Sequence, residues 1–134
     1  MATLFSRIIA GEIPSHRIAE NAEFYAFLDI NPVQIGHTLI VPKREVDYYF
    51  DLSDEELGRM QSFAKQVAQA IQAHTACIKV GTAVMGLEIN HAHLHLIPLK
   101  DNGDMNVYLK LQQSAEELAA TAEGIRQHIP TEIK

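Results

Sequence analysis

Apolar and polar positions change period several times along this chain, and each change marks an element. Residues 5–10 put Phe5, Ile8 and Ile9 at helical spacing and are closed by Gly11 ahead of Pro14, which predicts a short helical turn. Residues 24–28 alternate weakly and run into Asp29-Ile30-Asn31-Pro32, a turn signal, after which residues 36–41 form a β-rich run ended by Pro42. A hairpin or meander is expected there. Ser53-Asp54-Glu55-Glu56 is a capping-box pattern, and Leu57, Met60, Ala64, Val67, Ala68 and Ile71 follow at spacings of three and four, which predicts the main helix, ending near Ala73. Met60 and Phe63 on that helix read as core or subunit-interface residues. Residues 77–84 are short and β-prone, Gly86 breaks the run, and residues 87–99 alternate again as a strand bounded by Pro98. Ser114-Ala115-Glu116-Glu117 repeats the capping box and opens a C-terminal helix reaching about His128, before Pro130. This order predicts an α+β fold in a single domain over 1–134: a mainly antiparallel sheet of about five strands, one long central helix and a C-terminal helix.

Composition narrows the partners. The net charge of −6 over 134 residues repels polyanions at long range, so nucleic acids and acidic membrane surfaces are not expected partners, and an anionic substrate has to be held by local groups. Cys77 is the single cysteine, which rules out an internal disulfide and reads as a small buried hydrophobe. No stretch reaches the roughly 20 apolar residues that span a bilayer, and the start of the chain has no leader-like pattern, so a cytoplasmic location is expected.

The chemistry is expected at His91-Ala92-His93-Leu94-His95-Leu96, where histidine alternates with apolar residues at the two-residue period of a strand. One face then carries imidazoles and the other joins the core. Neighbouring histidines stand about 6.6 Å apart along such a strand and the outer pair about 13 Å apart, too far for all three to reach one ion. Two of them, with His37 or Glu88, could still hold a metal for hydrolysis. A row of imidazoles also suits phosphate: protonated and N–H-bearing rings grip oxygens while a neutral ring attacks phosphorus. Surface histidines without a role are the plain alternative, disfavoured by the apolar residues between them. His16, His74 and His128 are isolated, and Lys43 with Arg44 reads as a solvated pair.

The row His91-Ala92-His93-Leu94-His95-Leu96-Ile97 resembles the signature of the histidine triad (HIT) nucleotide hydrolases and transferases. Phe5-x-x-Ile8-Ile9-x-Gly11-Glu12-Ile13-Pro14 resembles the family's N-terminal segment. Phe27-x-Asp29-Ile30-x-Pro32, followed by Gly36-His37-Thr38-Leu39-Ile40-Val41-Pro42-Lys43, resembles its central one. The resemblance implies the HIT-like α+β fold, usually paired as a homodimer. It implies His93 as the nucleophile that carries a covalent nucleotidyl group, His95 as the holder of the α-phosphate, His91 as the group that orients its neighbours, and His37 as the fourth histidine beside the phosphate. It further implies Asp29 as acceptor for the ribose hydroxyls and Phe5, Ile8, Phe27 and Ile30 as an apolar slot for the base. A carboxylate in a turn suits a vicinal diol on its own chemistry, although it also suits a turn that binds its own backbone.

The chain departs from the family pattern just before the row. Many members have a glutamine and a hydroxyl residue after the glycine; here the run is Gly86-Leu87-Glu88, and Val80-Gly81-Thr82 stands where many members have an asparagine. Glu88 either leans on a histidine and tunes it or selects a leaving group that bears an amine. The reading is a hydrolase acting at the α-phosphorus of a purine nucleoside 5′-monophosphate derivative, an adenosine phosphoramidate or related AMP conjugate, with no metal or cofactor. A metal-dependent hydrolase and a nucleotide-binding regulatory module with weak turnover are the alternatives.

Overall fold

The computed structural model describes residues 2–85 and 87–134. Five strands form one antiparallel sheet: β1 (Arg17–Glu20), β2 (Phe24–Leu28), β3 (Thr38–Pro42), β4 (Lys79–Ala83) and β5 (Leu94–Leu99), in the spatial order β1-β2-β3-β5-β4. Three helices accompany it: α1 (Leu4–Ile9), α2 (Asp54–Thr75) and α3 (Ala115–Arg126). The expected α+β architecture stands, with β1 to β3 as a meander and β5 inserted between β3 and β4.

Both faces of the sheet are covered, and this explains why residues 24–28 alternate so weakly. Phe24, Ala26 and Leu28 of β2 pack with Ile40, Leu94 and Leu96 and with Met60, Phe63, Val67 and Ile71 of α2 and Leu118, Ala122 and Ile125 of α3. Tyr25 and Phe27 point the other way and meet Leu39, Val41, Phe5 and Ile8. A strand buried on both sides reads as a continuous apolar run. Helix α1, six residues long, is too short to be stable alone. Burial of Phe5 and Ile8, at about 1.5–3 kcal/mol each, holds it over the sheet, and Thr3 caps its start.

Several expected boundaries move. Both capping boxes form, at Ser53 with Glu56 and at Ser114 with Glu117. Helix α2 runs beyond Ala73 to Thr75 and ends on Ala76 in the left-handed region at φ 55°, a cap with no glycine to announce it. The C-terminal helix ends at Arg126, short of His128. Strand β1 was not expected; its register shifts between Arg17 and Ala19, so Ile18 and Ala19 are both buried and alternation is lost. The largest correction concerns residues 87–99, of which only Leu94–Leu99 pair as a strand. Upstream, His91 N–H bonds Ile89 O and Ala92 N–H bonds Val46 O, so His91 and His93 sit on an irregular extended segment leading into β5. The expected break at Gly86 lies outside the described residues. Lys43 and Arg44 are ion-paired, with Glu20 at 3.0 Å and Glu56 at 2.8 Å. Met60 and Phe63 are core residues, and Cys77 is buried.

Candidate active site

Two turns and the entry to β5 bring the histidines together. In the β3–β5 register Leu39 faces His95, so His37, two residues before Leu39, lies diagonally across from His95 on the same face. The chain reverses between β2 and β3 through Gly36 at φ 100°, a conformation that favours glycine, with the space for a side chain already taken by Thr75 and Pro98. Asp29 N–H then bonds His37 O, which extends the β2–β3 ladder by one pair and sets the Asp29 carboxylate beside the His37 ring. Asp29 Oδ1 accepts Asn31 N–H, so one oxygen serves the turn; Oδ2 stands 3.8 Å from His37 Nε2.

The protons on three of the rings follow from partners that can only donate or only accept. Val33 N–H donates to His37 Nδ1 at 3.0 Å, which leaves the His37 proton on Nε2. That Nε2–H faces His95 Nδ1 at 2.9 Å and donates to it, which puts the His95 proton on its own Nε2. His95 Nε2 is buried and has no hydrogen-bond partner among the described residues, which leaves an unsatisfied N–H. On the next ring, His93 Nδ1 lies 2.8 Å from the His91 carbonyl, an acceptor, so Nδ1 bears the proton and Nε2 keeps its lone pair. Burial, with a smaller push from Lys110, brings His37 down to about 4 from an ordinary 6.5, and burial with the neighbouring His37 and His93 brings His95 down to about 4 as well. Both rings are therefore neutral at pH 7. The His93 and His95 ring centres are 5.0 Å apart, so a lone pair and an N–H donor stand side by side.

A metal does not suit this donor set. Asp29, His37 and His95 offer ligand atoms within 4.8 Å of one another, a different set from the two row histidines with His37 or Glu88 that the sequence left open. A metal-bound imidazole normally donates its other N–H to an acceptor. His37 does the reverse: Nδ1 already receives Val33 N–H, so binding an ion through Nε2 would require an imidazolate. Glu88 lies elsewhere, exposed, beside a cavity of about 530 Å³ lined by Thr3, Glu45, Asp47, Ile89 and Asn90. Among the described residues it makes no hydrogen bond to a histidine, so direct tuning of a triad ring has no contact behind it.

The base slot divides. Phe5, Ile8 and Phe27 form one buried cluster, and the Phe5 ring packs edge-on against Phe27, His91 and His93 at centre distances of 5.6, 5.7 and 5.1 Å. Ile30 is 62% exposed and outside that cluster. The first three thus make a wall beneath the site, and Ile30 stands at its rim.

Sequence reasoning missed Val33 and Pro42, whose roles are played by backbone atoms. It also missed Thr3, Ser6 and Glu45, which bond around His91; the capping pattern of Thr3 three residues before Ser6 was a usable local signal, whereas Glu45 had none. His16, His74 and His128 stay apart from the site, and His74 lies against Gly124 where α2 meets α3.

Comparison with known proteins agrees with this geometry. Residues 10–102 match the model of the HIT domain. The adenosine 5′-monophosphoramidase of Saccharomyces cerevisiae is 39% identical over 101 residues, covering 75% of this chain and 64% of the yeast protein; the chain thus spans under two thirds of that relative. The adenosine 5′-monophosphoramidase of Schizosaccharomyces pombe is 32% identical over 133 residues, covering 96% of this chain and 99% of that one. Among solved structures, a HIT-like protein involved in cell-cycle regulation from Bartonella henselae superposes with a TM-score of 0.83 at 26% identity, over 95% of this chain and 96% of its own. A zinc-bound histidine triad protein from Mycobacterium smegmatis gives 0.79 at 26% identity, over 96% and 93%. With the HIT domain matched over residues 10–102, the histidine row included, this chain belongs to the histidine triad family.

Proposed function

We propose that this protein is a nucleotide hydrolase of the HIT type that releases AMP from an adenosine phosphoramidate or related AMP conjugate. The observation that carries this reading is the pairing of a free lone pair on His93 Nε2 with a neighbouring buried N–H on His95 that has no partner. A phosphate oxygen satisfies that donor, and a phosphorus beside it comes within reach of the lone pair. The two phosphoramidase relatives supply the substrate class.

In this reading His93 Nε2 attacks the α-phosphorus and the phosphorus–nitrogen bond breaks, its electron pair leaving with the amine, which takes a proton from water. The nucleotidyl-imidazolium is steadied by the His91 carbonyl at Nδ1. Water then attacks phosphorus, gives up a proton to solvent, and the pair returns to His93 Nε2. His95 Nε2–H and Lys110 support the charge on the phosphoryl oxygens, Asp29 Oδ2 takes the ribose hydroxyls, and Phe5, Ile8, Phe27 and Ile30 receive the base.

We further propose a homodimer. The outer edge of β4 pairs with no strand among the described residues, and Ile78, Val84, Met85 and Tyr108 are exposed apolar side chains. A cytoplasmic location is in keeping with the free, buried Cys77 thiol.

The test is AMP release from a fluorogenic adenosine phosphoramidate by the wild type and by His93→Ala, each with and without a chelator. Turnover that resists the chelator and vanishes in His93→Ala is expected. A second reading, a binding module with weak turnover, draws on Leu87, which is 95% exposed where the family pattern has a polar side chain; tight AMP binding without turnover would favour it.

A further inference from the structure

His91 is fully buried, and both of its ring nitrogens are bonded. Nε2 lies 2.8 Å from the carbonyl of Pro42, an acceptor, so the proton is on Nε2. Burial keeps the ring below its ordinary pKa and hence neutral, which leaves Nδ1 as a lone pair that needs a donor. Thr3 Oγ1, at 2.8 Å, supplies it.

The direction of every other bond around Thr3 follows. Its single hydroxyl proton goes to His91, so towards the other neighbours Thr3 Oγ1 can only accept, and it accepts Ser6 N–H at 3.0 Å as the cap of α1. Thr3 Oγ1 also stands 3.2 Å from Ser6 Oγ, a second acceptor for its proton, but His91 Nδ1 at 2.8 Å is nearer; the Ser6 hydroxyl itself donates to Glu45 Oε1 at 2.6 Å, an oxygen that also takes Thr3 N–H at 2.9 Å. Those two bonds hold the Glu45 carboxyl below the usual carboxylate range, which keeps it ionised and purely accepting. The Pro42 carbonyl fixes the proton on His91 Nε2, and the buried Nδ1, the nearer acceptor, takes the Thr3 proton. Phe5, between Thr3 and Ser6, packs on both His91 and His93, so the same turn of α1 touches the nucleophile from a second side.

We propose that Thr3, anchored by Ser6 and Glu45, is a positioning residue for the triad: its hydroxyl locks His91 as the Nε2–H tautomer and thereby fixes the His91 carbonyl that orients His93. The proposal rests on the reading of His93 as nucleophile. Without the hydroxyl, the buried Nδ1 has no donor, and the ring relieves this by turning or by moving its proton, either of which breaks the bond to Pro42 and shifts the backbone that holds His93 Nδ1.

The experiment pairs turnover with a measurement of the tautomer. Long-range proton–nitrogen NMR on the imidazoles of the wild type is expected to show His91 protonated on Nε2 alone. Thr3→Gly keeps a good helix cap, at a cost of only a few tenths of a kcal/mol, but removes the hydroxyl. Its kcat on the phosphoramidate is expected to fall on the order of tenfold to hundredfold, with KM close to the wild type, a lowered melting temperature from the unpartnered Nδ1, and the His91 signals displaced. Thr3→Ser restores the donor and is expected to restore both readouts. An Nδ1–H tautomer in the wild type, or wild-type kcat in Thr3→Gly, would overturn the proposal. The tautomer is read without turnover. Activity surviving in His93→Ala would therefore end the positioning role together with the nucleophile reading, yet leave the hydrogen-bond assignment intact, and the two failures remain distinguishable.

Discussion

Each histidine of the site is given its chemical role by the atom behind it. Val33 N–H at His37 Nδ1 sends a proton forward through His37 Nε2 to His95, whose own Nε2–H is left facing outward. The His91 carbonyl does the opposite for His93, taking Nδ1–H so that Nε2 faces outward as a lone pair. His95 thus presents an N–H beside the ring that the proposed reaction uses as nucleophile. His95→Phe, which removes the donor, is expected to lower kcat by about 10²–10³. At His37 the relay makes a finer distinction. His37→Gln places an amide N–H where Nε2–H now points at His95, so it should keep more activity than His37→Leu, which leaves His95 Nδ1 without a donor; kcat of the two variants on one substrate checks this. The residue types of this relay were legible in the sequence, since His37, His93 and His95 all stood out by pattern. The direction of their protons was not, because it depends on backbone groups of Val33 and His91 that no side-chain pattern encodes.

At the scale of elements, the turn between β2 and β3 does most to build the site. It reverses the chain through Gly36, places Asp29 opposite His37 and so joins the Asp29 carboxylate to the relay. A Cβ on Gly36 would sit 3.0 Å from Thr75 Cγ2 and 3.3 Å from Pro98 Cγ, in a backbone conformation at φ 100° that side chains rarely adopt. Gly36→Ala is therefore expected to destabilise the protein by about 1–3 kcal/mol and to reduce turnover by displacing His37; urea unfolding and the phosphoramidate assay together measure the two effects. The helices were the readable elements: capping boxes and a repeat of three and four residues are local signals, and α2 and α3 start where those signals put them. The strands were less so. β1 lacks alternation because of its register shift, and the histidine strand begins only at Leu94 because β3 reaches Pro42, which has no N–H and gives its carbonyl to the His91 side chain.

Across the whole molecule, the buried His37 and His95 make stability depend on acid. The unfolded chain takes up protons on His37 and His95 as pH falls through 6.5, whereas the folded chain holds both rings neutral down to about 4. The unfolded state binds more protons in that window, so stability must fall as pH drops from 6.5 towards 4, with a slope of up to about 1.4 kcal/mol per pH unit for each ring. Denaturation followed from pH 7.5 to 4.5 should show this decline, and His37→Gln, which removes one of the two titrating rings, should flatten it. The sequence by itself determined the α+β class, the main helix and the residue types of the site, because periodicity, caps and alternation are local and survive without any fold. Only the tertiary structure decided which ring nitrogens bear the protons, that Glu88 makes no hydrogen bond to a histidine among the described residues, and that Thr3, Ser6 and Glu45 close around His91. Those outcomes depend on contacts between residues as far apart as Thr3 and His91 and on backbone carbonyls and amides, whose positions exist only once the sheet and α1 have packed.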